Sequence, residues 1–313
     1  MGLTSGALSI SLGEGSTPLV AAGRLSTATG YDLHLKLEGA NPTGSFKDRG
    51  MVVAVGRAAE SGARAVVCAS TGNTAASAAA YAARAGLASI VLTPAGATAT
   101  AKRAQAVAVG ARLLEVRGSF DDALRVCREL GERPGYVLVN SLNPDRIEGQ
   151  KSVVFELLDA LGSAPAIIAL PFGGGGNVSA VAAGLAEAGV SSRIVVGQAA
   201  ERATTWATAI RIARPAHAEH VAGLIASGRV EVVTLSEDEI RTAWRQLASA
   251  EGAFCEPASA AGFAAVARLG QGQGETVVCI LTGHGLKDTG ALEASLEATV
   301  VDANLDAVLE VLG

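Results

Sequence analysis

Short β-branched runs alternate with helical stretches ending in glycine along most of the chain, and this alternation predicts an α/β fold. Composition agrees. Of 313 residues 49% are hydrophobic but only 4% aromatic, and 38 are glycine, with alanine also abundant, which favours small-faced helices packed tightly on sheets. Four loops rich in Gly, Ser, Thr or Asn lie between an apolar run and a later helix, where α/β sheets hold their ligands.

In chain order, residues 32–37 place leucine at every second position and read as a strand; 45–60 is a long apolar helix. The run 65–69 is apolar throughout and of strand length, and alanine-rich 73–85 is its helix. The same alternation gives strands at 89–92, 112–116 and 136–139, with helices at 99–109 and 120–130. One helix is expected over 147–161. Strands at 166–170, 193–198, 230–235 and 276–281 then alternate with helices at 177–188, 203–212, 237–250 and 258–269. Gly86, Gly110, Gly131 and Gly270 stand where helices should stop, as left-handed caps would. Residues 292–312 read as a short strand and helix that close the fold, and no internal repeat is present.

A net charge of −5 and a pI near 5.5 leave no basic footprint for nucleic acid. Charged residues interrupt every long apolar segment before the ~18 residues a membrane span needs, so no membrane partner is expected. Residues 1–15 lack the basic and apolar regions of a signal peptide. Cys68, Cys127, Cys255 and Cys279 are widely spaced, three of them in apolar runs, as buried reduced thiols of a cytoplasmic protein would be. His217 and His220 are three apart in a helical-looking segment but lack the carboxylate-histidine signature; no metal site is expected.

The chemistry concentrates in residues 41–49, 70–74, 172–177 and 282–288. Lys47 follows a Gly-Ser turn and begins the helix 45–60. There the positive end of the helix dipole opposes its charge, and burial favours the neutral amine that a Schiff-base nucleophile needs. The plain alternative is a surface lysine capped by Ser45. Gly173, Gly174, Gly175, Gly176 and Asn177 follow an apolar run and open a helix, so backbone amides and the helix start can cradle a phosphate. The loop is no dinucleotide fingerprint, because no acidic residue follows about twenty residues on. Ser70, Thr71, Asn73 and Thr74 surround one glycine; a cap needs only one of them, and the surplus points to ligand contact. Thr282 ends a buried strand, where its hydroxyl can meet a heteroaromatic nitrogen and leave it uncharged. Arg146 offers a planar guanidinium for a phosphate, or a surface ion pair with Asp145 or Glu148. A lysine amine, a phosphate cradle and a hydrogen-bonding strand end together describe a site for an aromatic aldehyde phosphate, pyridoxal 5'-phosphate.

In these residues the sequence resembles the threonine synthases, within the fold-type II (tryptophan synthase β-like) pyridoxal-phosphate enzymes. Gly13-Glu14-Gly15, Thr17-Pro18-Leu19, the Lys47 segment and Ser70–Thr74 carry the resemblance. So do Pro94-Ala95-Gly96, Phe120-Asp121-Asp122-Ala123, Asn140-Ser141-Leu142-Asn143-Pro144, Glu148-Gly149-Gln150-Lys151, the segment 251–261 and the segment 282–288. The resemblance implies two open, twisted, mostly parallel α/β domains with the active site in the cleft between them: a large domain of residues 1–38 and 146–313, and a small one of 39–145. It implies that Lys47 forms the Schiff base, that Asn73 meets the phenolic oxygen, that 173–177 hold the phosphate and that Thr282 faces the pyridine nitrogen. Ser70, Thr71, Thr74, Asn140, Ser141 and Arg146 would receive the substrate's own phosphate. The implied activity is conversion of O-phospho-L-homoserine and water to L-threonine and phosphate by γ-elimination and β-hydration, in a homodimer. A threonine or serine dehydratase-like lyase, a paralogue acting on another activated amino acid, and a non-catalytic binding protein are the rival readings. Two departures from the resemblance stand out: the loop after Gln198 is shortened, and Ala97 replaces a lysine after Pro94-Ala95-Gly96.

Overall fold

In the computed structural model, which describes residues 5–96, 101–291 and 298–312, ten strands form two sheets. The chain opens with α1 (Ser5–Ile10), β1 (Leu19–Ala21), α2 (Gly23–Thr29) and β2 (Asp32–Leu37). It continues through α3 (Lys47–Glu60), β3 (Ala65–Ala69), α4 (Asn73–Arg84), β4 (Ala88–Pro94), α5 (Ala101–Ala108), β5 (Arg112–Val116), α6 (Phe120–Gly131) and β6 (Tyr136–Leu138). After α7 (Pro144–Gln150) and α8 (Ser152–Leu161) come β7 (Ile167–Pro171), α9 (Gly176–Glu187), β8 (Arg193–Ala199), α10 (Ala218–Ala226) and β9 (Val230–Leu235). The described chain ends with α11 (Glu237–Glu251), α12 (Ala260–Arg268), β10 (Thr276–Leu281) and α13 (Leu305–Leu312).

The larger sheet has the order β1-β2-β10-β7-β8-β9 and the smaller one β5-β4-β3-β6. All pairings are parallel except the edge strand β1, which lies antiparallel to β2 with Leu19 opposite Lys36. Parallel sheets covered on both faces need strands that are apolar throughout. Accordingly β3 and β7 are buried at every position. Along β10, Val277, Cys279 and Leu281 face a core with Leu33, Leu35, Trp244 and Phe263, while Val278 and Ile280 face the opposite core with Ile168, Leu170 and Val181. The period of two thus splits one strand between two cores. All four cysteines are buried and free.

The nine expected strands are present, but several helical expectations change. The single helix expected over 147–161 is two: Asn143 caps the backbone of Asp145 and Pro144 starts α7 early, and beyond Gln150 the chain resumes as α8 at Ser152. Residues 203–212 form no α-helix, only a 3-10 turn at Thr208–Ile210. Side chains there take the backbone groups a helix would use: Glu237 accepts from the Trp206 amide, Thr205 Oγ1 from the Ala207 amide, and Arg211 donates to the Thr205 carbonyl. Gly131 is the last residue of α6 and has no positive φ, unlike Gly86, Gly110 and Gly270. α13 buries no residue, so it does not close the fold, and no strand is present in 298–304; residues 292–297 lie outside the described residues. Ala97 and the first two positions of the helix expected at 99–109 lie outside them too.

One helix contact positions the site. α3 and α7 cross at backbone distance because each presents a glycine. A Cβ on Gly50 would sit 2.4 Å from the Arg146 carbonyl oxygen, and one on Gly149 would sit 2.0 Å from that of Arg49. No larger residue fits, and the crossing sets Arg146 close to Lys47.

Candidate active site

Lys47 is the first residue of α3, and the residues before it are held by the end of β10. The Phe46 amide donates to the Thr282 carbonyl (3.0 Å), the His284 amide donates to the Gly44 carbonyl (3.0 Å), and Ser45 bridges Gly283. Gly44 makes the turn at φ +82°, a conformation costly for other residues. The Lys47 amine is therefore fixed beside the carboxyl end of a central strand. Burial, followed by the nearby Arg146 charge, lowers its pKa to about 7, with Glu256 opposing the fall. Ser45 makes no cap bond to α3, and its buried hydroxyl has no partner.

The glycine loop runs from β7 into α9. Gly175 is the N-cap of α9 at φ +88°. The outward carbonyls of the loop are occupied: Arg202 Nη2 donates to Gly173 (2.8 Å) and the His217 amide to Gly174 (3.0 Å). The first amides of α9 have no intrahelical acceptor, as at any helix start. Below them Asn177 Nδ2 and Ser179 Oγ are buried without a partner. Side chains would crowd the residues around the loop: a Cβ at Gly173 would come 3.2 Å from the Ile210 Cα, and one at Gly175 3.0 Å from the His217 Cβ. Unsatisfied donors above a glycine floor suit a phosphate, and the site fits the phosphate end of pyridoxal phosphate.

Thr282 Oγ1 lies 3.0 Å from Ser259 Oγ, which also accepts from the Gly283 amide (3.1 Å). Asn73 begins α4, and its Nδ2 donates to both oxygens of the buried Glu256 (3.0 Å each), leaving Oδ1 without a partner. Ser70 accepts from the Gly72 amide (3.0 Å), and Thr71 and Thr74 are partly exposed on the same turn.

The residues expected to receive a substrate phosphate divide. Arg146 is fully buried. Nη1 donates to the Val139 carbonyl (2.9 Å), while Nε and Nη2 have no partner. Its pKa is lowered to about 10 by burial, partly offset by Cys68 and Asp48. The alternative ion pairs are absent, because Asp145 pairs with Arg57 and Glu148 with Lys151. Two nitrogens of this buried guanidinium, near Lys47, are thus left without an acceptor, which is costly unless something supplies one. Asn140, by contrast, commits both ends of its amide to Ala69, accepting from its N–H and donating to its C=O at 2.9 Å each, so it anchors the loop to β3. The Ser141 carbonyl accepts from His217 Nε2 (2.7 Å).

Sequence reasoning missed two charged residues at the centre. Glu256 joins Asn73 to Lys102, whose buried Nζ is 3.2 Å from Glu256 and 3.5 Å from Asp288. The available signal was a carboxylate in Glu256-Pro257-Ala258-Ser259, a polar word between apolar stretches that became a buried turn.

Known proteins resemble this chain in sequence and in fold. Residues 10–283 match the family of pyridoxal-phosphate dependent enzymes. The threonine synthase of Halalkalibacterium halodurans is 46% identical over 308 residues, spanning 92% of this chain and 87% of that protein. The threonine synthase of Mycobacterium leprae is 46% identical over 327 residues, spanning 97% and 91%. Maize serine racemase has the same fold, with a TM-score of 0.80 at 22% identity over 94% of this chain and 95% of that one. The chain therefore belongs to the pyridoxal-phosphate dependent enzyme family, and within it to the threonine synthases.

Proposed function

We propose that the chain converts O-phospho-L-homoserine and water to L-threonine and phosphate, using Lys47 as its proton-transferring amine and Arg146 to match the departing phosphate. The observation that carries this reading is the pairing of a lysine whose pKa lies at about 7 with a buried guanidinium that has two unpartnered nitrogens. A cofactor phosphate alone needs only the glycine loop; the second cation calls for a second anion.

Pyridoxal 5'-phosphate, when bound, supplies a ring that withdraws electrons from the carbons next to the amino group. Lys47 would hold its aldehyde end, residues 173–177 its phosphate, Thr282 its ring nitrogen, and Asn73, oriented by Glu256, its phenolic oxygen. A hydroxyl at Thr282 does not keep that nitrogen charged, as a carboxylate would. Near neutral pH the Lys47 amine exists in both charge states, so Nζ can in turn remove the substrate's α-proton and a β-proton. It can deliver one to the γ-carbon that loses phosphate and, once water has placed its hydroxyl on the β-carbon, return the other to the α-carbon, the water's remaining proton leaving with the phosphate. Arg146, with the hydroxyls of Ser70, Thr71, Thr74 and Ser141, neutralises the phosphate as it leaves, which lowers the barrier to expulsion rather than only strengthening binding. The domains are read as 1–38 with 146–313 and 39–145. The protein is read as a cytoplasmic homodimer, which light scattering and fractionation would test; none of the described helices is long and apolar enough to cross a membrane.

The deciding experiment is a parallel assay of phosphate release from O-phospho-L-homoserine and of 2-oxobutanoate from threonine. Phosphate release with stoichiometric threonine is expected. Preferential 2-oxobutanoate formation would overturn the reading in favour of a dehydratase. Lys47→Ala should abolish turnover.

A further inference from the structure

Neither proton transfer nor phosphate expulsion, as described above, employs His217, yet it touches both loops assigned to phosphates. We propose that His217 is a positioning residue that ties the cofactor-phosphate loop to the loop receiving the substrate's phosphate, so that each site is set by the other. This rests on the function proposed above.

Three contacts carry the inference. The His217 amide donates to the Gly174 carbonyl at 3.0 Å. The His217 Cβ lies 3.0 Å from where a Gly175 Cβ would stand, so the ring leaves directly from the glycine loop. Nε2 then reaches the Ser141 carbonyl at 2.7 Å. His217 precedes α10 but makes no side-chain cap bond to it, so the ring does not serve its own helix. It instead joins a residue following β7 of the larger sheet to one following β6 of the smaller sheet. His220, three residues on, is exposed and takes no part.

The acceptor fixes the chemistry. A carbonyl oxygen can only accept, so Nε2 carries a proton whether the imidazole is neutral or charged, and the link persists across pH. Without that donor, the Ser141 carbonyl would present unoccupied lone pairs beside an incoming phosphate dianion. Linkage makes the effect reciprocal: an anion that orders the Ser141 loop also steadies the glycine loop through His217, and so slows cofactor loss.

The test uses the holoenzyme with His217→Ala and His217→Gln, the glutamine amide being able to replace the Nε2–H donor. For His217→Ala, KM for O-phospho-L-homoserine should rise about tenfold, the factor worth about 1.4 kcal/mol and of the order of one hydrogen bond. Its kcat should fall by less than KM rises, since the loop carrying the Ser141 hydroxyl loosens but the proton-transferring amine is untouched. Release of pyridoxal phosphate into a trap, followed by absorbance, should be slowed by inorganic phosphate in the wild type but not in His217→Ala. His217→Gln should restore most of both behaviours. An unchanged KM and an intact phosphate effect in His217→Ala, or a His217→Gln as impaired as the alanine variant, would overturn the link. A wild-type chain that holds no pyridoxal phosphate, or releases no phosphate from substrate, would refute the proposed function and the link with it. A wild-type chain that does both, beside an unimpaired alanine variant, refutes only the link.

Discussion

Capture of pyridoxal phosphate by the apoprotein should follow the neutral fraction of the Lys47 amine, so its pH profile measures the environment of that nitrogen. With a pKa of about 7, half of the amines are uncharged at neutrality. An ordinary lysine near 10.5 would be uncharged in roughly one molecule in 3,000 at the same pH. The capture rate, read as growth of visible absorbance in a stopped-flow mixer, should rise with pH and level off within about one unit above the midpoint. Neighbouring charges give the test its sign. Arg146 disfavours the ammonium, so Arg146→Met should move the midpoint upward; Glu256 favours it, so Glu256→Gln should move it downward. A midpoint near that of a free lysine, or variants that shift together, would refute the electrostatic account of Lys47.

Three further outcomes are expected. Arg146→Met should lower kcat/KM for the phosphorylated substrate by roughly 10- to 150-fold while changing cofactor affinity far less, because a charge-assisted bond to phosphate is worth ~1.5–3 kcal/mol; equal losses in kcat/KM and in cofactor affinity would count against its assignment to the substrate. Gly50→Ala places a methyl 2.4 Å from the Arg146 carbonyl, so it should force α3 from α7 and cost ~2–3 kcal/mol in urea unfolding, with loss of cofactor capture. Burial alone would raise the Glu156 carboxyl, but hydrogen bonds and charge from Arg49, with help from Lys36, hold it at about 2. Its folded pKa is below its unfolded value, so its stabilisation is present above about 4.5 and is lost as pH falls towards about 2. In acid titration followed by circular dichroism, Glu156→Gln should flatten that part of the curve.

The central strands were legible because a strand buried on both faces must be apolar throughout, as in Ile167–Pro171. β1 escaped notice because it has three residues and two are exposed, which leaves no pattern. Residues 203–212 are not helical, because five of the ten are β-branched and the side chains of Thr205, Arg211 and the distant Glu237 claim the backbone. No local window contains Glu237. At the site, Lys47, the glycine loop and Thr282 could be read because each occupies a boundary between strand or turn and helix, where backbone geometry and chemistry coincide. Glu256, Lys102 and His217 could not, since their meaning lies in partners 183, 154 and 76 residues away. For Asn140 the fold adds an employment with no local signal: its amide fastens a loop to β3 through Ala69, 71 residues away.

The placement of β10 between β2 and β7 has a consequence for biogenesis. The smaller sheet draws its strands from one continuous stretch, residues 65–138, and can be completed while the ribosome is still extending the chain. The larger sheet cannot, because β2 and β7 remain separated until residues 276–281 emerge to fill the gap. Lys47 leans on that last arrival through the Phe46–Thr282 bond. A nascent chain halted between residues 138 and 276 would carry one finished half and a lysine with no seat.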